Sequence, residues 1–124
     1  MKSTLIRGGV IVTMNSRREV LTGDLLIQDN QITKVAKKIT PPKGARIVDA
    51  NGKFVIPGFV QAHVHLCQIL FRGEADDLAL LDWLGKKIWP MECAHTAKSL
   101  KASADLGLLE MQLCGTTSIL DMGT

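Results

Sequence analysis

The side chains best suited to do chemistry are two histidines separated by one residue, in His63-Val64-His65. On an extended strand, residues two apart project to the same face about 7 Å apart at the backbone. Two imidazoles so placed can both reach one ion at ~2.0–2.1 Å. A bare His-x-His in an arbitrary protein is more often a pair of hydrogen-bonded histidines, so the surrounding sequence has to decide. Here Phe59, Gln61, His63 and His65 alternate with Val60, Ala62, Val64 and Leu66, and the segment follows Pro57-Gly58. One strand face is therefore apolar and the other carries the histidines at its C-terminal end, where barrel enzymes place active-site residues. That favours His63 and His65 as metal ligands. The remaining histidine, His95, precedes a helix cap and is expected to be an exposed polar residue rather than a ligand.

Several elements must position this pair. Short strands punctuated by turns are expected at Val10–Met14, Asp24–Gln28, Ile32–Val35 and Arg46–Val48, with Asp29-Asn30 as a tight turn. Pro41-Pro42-Lys43-Gly44 and Asn51-Gly52 break regular structure and put a boundary near residues 50 to 58. Beyond it, Asp77 is a candidate N-cap for a helix with Leu81, Leu84, Ile88 and Met91 along one stripe, kinked or ended by Pro90. Thr96 is expected to cap a second helix with the stripe Leu100, Ala104, Leu108 and Met111, and Gly115 to stop it. Thr117–Met122 then reads as another strand. Strand, helical excursion and strand form one unit of a parallel α/β fold, preceded by a strand-only segment.

Bulk properties narrow the class. The chain has 124 residues, 46% of them hydrophobic, and a net charge of +3 spread over scattered lysines without interleaved aromatics. Nucleic-acid binding is not expected from such a pattern. Cys67, Cys93 and Cys114 lack disulfide or metal spacing and are expected to be reduced, small buried hydrophobes in a cytoplasmic protein. No membrane association is expected, because no stretch approaches the ~20 apolar residues of a span.

The run Val55-Ile56-Pro57-Gly58-Phe59-Val60-Gln61-Ala62-His63-Val64-His65 resembles the first barrel strand of the amidohydrolase superfamily. Leu66-Cys67-Gln68-Ile69-Leu70-Phe71-Arg72-Gly73, Ala75-Asp76-Asp77-Leu78, Leu81-Asp82-Trp83-Leu84 and Ile88-Trp89-Pro90-Met91-Glu92 resemble its deaminase and chlorohydrolase branch. That branch includes methylthioadenosine/S-adenosylhomocysteine, 5′-deoxyadenosine and guanine deaminases and triazine hydrolases. The resemblance implies an α/β chain: residues 1–55 as part of a small β-sandwich, and 56–124 as the first strand, helical excursion and second strand of an incomplete (β/α)8 barrel. It implies zinc, less often iron, on His63 and His65, and attack of a metal-activated water on an aromatic ring carbon that loses ammonia or chloride. By position, Glu92 resembles the carboxylate that grips ribose hydroxyls in adenosine-type deaminases, and Gln68 the glutamine that guanine deaminases use against the purine edge. Trp89, and less so Trp83, are candidates to line an aromatic pocket. Arg72 is expected to order its loop through Asp76 or Asp77.

A catalytic zinc has at least three protein ligands plus a water, and this chain offers two. Asp121 is left out of the metal site because its side of the strand is open. The family pattern places two further histidines, the general acid/base and a metal-binding aspartate on later strands, so no catalytic residue is expected before Thr124. The chain is accordingly expected to be the N-terminal fragment of a longer enzyme, binding metal weakly or not at all by itself, inactive alone and prone to homo-oligomerise. The leading reading is a parent that deaminates an adenosine-type nucleoside such as 5′-methylthioadenosine, S-adenosylhomocysteine or 5′-deoxyadenosine. The alternatives are a guanine deaminase or triazine chlorohydrolase, and an inert folding or assembly module without metal.

Overall fold

Alternating apolar residues between Ser3 and Val12 make β1 (Ser3–Val12), the strand around which the first sheet is arranged. The computed structural model describes residues 2–123. β1 pairs antiparallel with β2 (Val20–Gln28), and β2 with β3 (Gln31–Ala36). Along the other side of β1 run β4 (Arg46–Asp49) and then β5 (Phe54–Val55), both parallel to it. Asp29-Asn30 forms the tight turn between β2 and β3, with Asp29 at φ 54° and its Oδ1 accepting from Lys2 N at 2.9 Å.

The register of β1 against β2 shifts between the pairs Ile6–Leu25 and Gly9–Gly23, so Arg7 and Gly8 share a single partner position at Asp24. This is a bulge, and the φ of +73° at Gly8 suits a residue with no side chain. Asp24 is buried, and its two oxygens are taken by Gly8 N at 3.0 Å and Ile39 N at 2.8 Å. A buried carboxylate is tolerated when such donors satisfy it. Leu5, Leu26 and Ile39, with Ala36 beside them, form the core here.

The chain divides into two compact units, Met1–Pro57 and Gly58–Thr124. In the second, β6 (Phe59–Val64) and β7 (Thr116–Asp121) make a parallel two-stranded sheet. The connection contains a 3₁₀ segment (Leu66–Phe71), α1 (Leu80–Trp83), a π turn (Leu84–Ile88), α2 (Trp89–Cys93) and α3 (Ala97–Leu113). The architecture is mixed α/β.

Two helix expectations are corrected. The stretch from Asp77 is not one amphipathic helix: it starts at Leu80 after Ala79, which offers no side-chain cap. Pro90 has no N–H to donate into the preceding turn, and the helix widens there, with Trp89 N bonding Leu84 O five residues back. Such π turns often sit at functional sites. The inserted residue breaks the 3.6-residue stripe, leaving Ile88 2% exposed but Leu81 78% exposed.

In α3 the cap is as expected. The Thr96 side chain accepts from Ser99 N, and the Ser99 hydroxyl accepts from Thr96 N. The buried face, however, is Ser103 and Gly107, while Leu100 and Leu108 of the predicted stripe are 41% and 38% exposed. A side-chain carbon on Gly107 would sit 2.8 Å from Ile69 Cγ1 and 3.0 Å from Leu66 Cδ2, so the glycine lets the 3₁₀ segment lie directly on the helix. Gly115, at φ +85°, ends α3 as its sequence position predicts. Of the three cysteines only Cys67 is buried; Cys93, the last residue of α2, and Cys114, the C-cap of α3, are exposed at helix ends, where no further turn among the described residues packs against them. Among the described residues no helix is long and apolar enough to cross a membrane.

Candidate active site

The end of β6 is fixed by backbone and side-chain bonds from β7. Met122 N donates to Val64 O at 2.7 Å, and Asp121 Oδ1 accepts from Leu66 N at 3.1 Å. Asp121 therefore secures the turn that follows His65. The two imidazoles face each other, Nε2 to Nε2 at 3.2 Å, with their ring planes at 69°.

That separation is a test of metal fit. Two nitrogens each ~2.0–2.1 Å from one ion, with a tetrahedral angle between them, stand about 3.3 Å apart. The pair fits a shared divalent ion such as zinc. His65 Nδ1 is buried and lacks a hydrogen-bond partner among the described residues, so the acceptor that orients a ligating ring is not in this set. Nor do the described residues contain a group of three or more His, Cys, Asp or Glu able to hold a metal.

Gln68 and Glu92 meet beside the pair. Gln68, on the 3₁₀ segment, donates from Nε2 to Glu92 Oε1 at 2.8 Å, and the Cys67 thiol approaches the same oxygen at 3.6 Å. Glu92 sits on α2, which the π turn carries into this position. His63, His65, Gln68 and Glu92 line one cavity of about 560 Å³, walled by Trp83, Ile88 and the half-exposed Trp89. A concave, largely apolar space with a few convergent polar groups is the usual form of a small-molecule site. The structure thus brings His63, His65, Gln68, Glu92 and Trp89 together.

Trp83 lines this cavity too, although the sequence reading favoured Trp89 over it, and Cys67, expected only to pack, reaches Glu92 Oε1. A helical stripe drawn at 3.6 residues does not place Trp83 with Glu92; the π turn does.

The supports of the 3₁₀ segment come from α3 and the residue before its cap. Ser103, fully buried, donates to Leu66 O at 2.7 Å, with Cys67 O 3.1 Å away. His95 is not the exposed residue expected from the sequence. Its Nε2 donates to Cys67 O at 2.8 Å, its Nδ1 lies 2.9 Å from Ser99 Oγ, and its ring stacks on Phe71. A carbonyl can only accept, which fixes the proton on Nε2. Arg72 also departs from expectation. It pairs with Glu110 at 3.0 Å and donates to Ile69 O rather than to Asp76 or Asp77, because α3 lies within reach of its long side chain.

Comparison with known proteins gives concordant results. The model of the Amidohydrolase family matches residues 54–124. A 5-methylthioadenosine/S-adenosylhomocysteine deaminase of Thermococcus onnurineus is 48% identical over 97% of this chain, and a 5′-deoxyadenosine deaminase of Methanosarcina mazei 39% identical over 98%. The chain spans 28% of the length of each of these curated relatives. Among solved structures, an atrazine chlorohydrolase from Arthrobacter aurescens complexed with zinc superposes with a TM-score of 0.84 at 25% identity, over 95% of this chain and 28% of that one.

Proposed function

The chain belongs to the amidohydrolase family, and from that premise we propose that it forms the N-terminal part of a hydrolytic deaminase acting on an adenosine-type nucleoside: 5′-methylthioadenosine, S-adenosylhomocysteine or 5′-deoxyadenosine. In this reading residues 1–55 contribute to a small β-sandwich and 56–124 open a (β/α)8 barrel. His63 and His65 hold zinc together with ligands from the rest of the enzyme. The bound ion supplies Lewis acidity and a water activated near neutral pH.

The remaining tasks fall to side chains of this chain. Trp83 and Trp89 offer flat apolar surface to a purine ring. Glu92 accepts hydrogen bonds from the ribose hydroxyls, which a carboxylate, an acceptor-only group, is suited to do. The observation that carries the reading is that Glu92 shares a cavity with the histidine pair, as a deaminase needs if it is to hold the sugar while the base faces the metal. The names of the relatives support the substrate class.

The test is ammonia release by the full-length protein from 5′-methylthioadenosine and from free adenine. Glu92→Ala is expected to lower kcat/KM for the riboside by roughly 10- to 100-fold, the scale of hydrogen bonds to a charged group, and to leave the free base nearly unchanged. Equal loss on both substrates would place Glu92 elsewhere in the chemistry. A triazine chlorohydrolase is the second reading, favoured by the structural likeness to atrazine chlorohydrolase. Chloride release from a chlorotriazine, with no ammonia from any nucleoside, would select it.

A further inference from the structure

Gln68 and Glu92 are joined by a hydrogen bond whose direction chemistry dictates. A carboxylate oxygen cannot donate, so the amide atom 2.8 Å from Glu92 Oε1 must be the nitrogen. This commits the donor end of Gln68 to Glu92. The Cys67 thiol, 3.6 Å from the same oxygen, adds a weak donor. Glu92 Oε1 is thus engaged twice from within the chain, while Glu92 Oε2 and the Gln68 carbonyl have no partner among the described residues. Both side chains line the cavity that holds the two histidines.

The segment that makes these bonds is itself held. Ser103 bonds Leu66 O and Cys67 O, and His95 bonds Cys67 O again, so the backbone on either side of Cys67 has little freedom to rotate Gln68 away.

We propose that Gln68 is a positioning residue for Glu92, not a reader of the purine edge: it pins one carboxylate oxygen so that the other stays turned toward a ligand's hydroxyls. This rests on the assignment of Glu92 to the sugar made above. It makes selectivity for a riboside over a free base a property of the Gln68–Glu92 pair. Gln68 then affects the base only through the sugar.

A double-mutant cycle in the full-length protein tests this, using 5′-methylthioadenosine and adenine as paired substrates. Gln68→Met keeps the volume and removes the donor; Gln68→Ala serves as a second variant that does not depend on methionine packing. Each is expected to raise KM for the riboside about tenfold with kcat changed less than about threefold, and to leave adenine unaffected. In a Glu92→Ala background both should have no further effect, because the group they orient is gone. If Gln68→Met weakens riboside and adenine alike, and still does so without Glu92, Gln68 touches the base and the proposal is overturned while the role of Glu92 stands. If Glu92→Ala leaves riboside KM unchanged, the assignment of Glu92 to the sugar fails and the role of Gln68 falls with it.

Discussion

At the scale of single residues, the proximity of candidate side chains was legible in the sequence where it depends on residue type and local spacing. His63 lies on β6 and His65 in the extended residue just past its end, so both rings fall on one side and their Nε2 atoms meet at 3.2 Å. Glu92 and Gln68 were singled out through resemblance, but their bond was not expected, since it joins positions 24 residues apart across a π turn. His95 shows the opposite failure. A lone histidine before a cap reads as solvated, yet a carbonyl, a hydroxyl and a phenyl ring from three places enclose it. Ser103 was hidden too, because serine on a helix usually faces water; its burial follows from the two carbonyls it satisfies. Ser103→Ala removes the side-chain donor from Leu66 O, while Cys67 O keeps His95, and is expected to cost about 1–3 kcal/mol in denaturant unfolding of the full-length protein. A loss below about 0.3 kcal/mol would mean that water replaces the hydroxyl.

At the scale of elements, β3, β4 and β7 were read close to their bounds because their turn residues are local, whereas β1 was expected only from Val10, β2 only from Asp24, and β5 not at all. The helical excursion was read less well. The stripe Leu81–Leu84–Ile88–Met91 assumes one unbroken period, and Pro90 breaks it by removing a donor, so a π turn forms and Leu81 faces outward. The face of α3 was also misjudged. Leucines suggested one side, but the side that packs is the one where Gly107 permits backbone approach to the 3₁₀ segment. Close approach by small residues leaves little hydrophobic signal. Gly107→Val is expected to destabilise the full-length protein by about 1–3 kcal/mol, the usual cost of overpacking, and to raise riboside KM by displacing Gln68. A variant with wild-type stability and KM would show that Ile69 and Leu66 yield freely.

At the scale of the whole molecule, the chain matches relatives over little more than a quarter of their length. In the proposed enzyme it would contribute two nitrogen donors, and the described residues hold no group of three or more His, Cys, Asp or Glu able to bind a metal. Leu80, Leu81, Leu109, Leu113 and Leu120 are exposed apolar side chains. The mixed α/β class could be read from the change of period near residues 50 to 58; the packing of α3 could not, because long-range packing leaves no local trace. The central claim is that His63 and His65 serve a metal-dependent deamination of an adenosine-type nucleoside. Ammonia release from 5′-methylthioadenosine by the zinc-loaded full-length protein, wild type against His65→Ala, tests it most directly. Sustained release by the wild type and a loss of at least about 10³-fold in the variant are expected, whereas no release from any adenosine-type nucleoside, or undiminished release by His65→Ala, would contradict it.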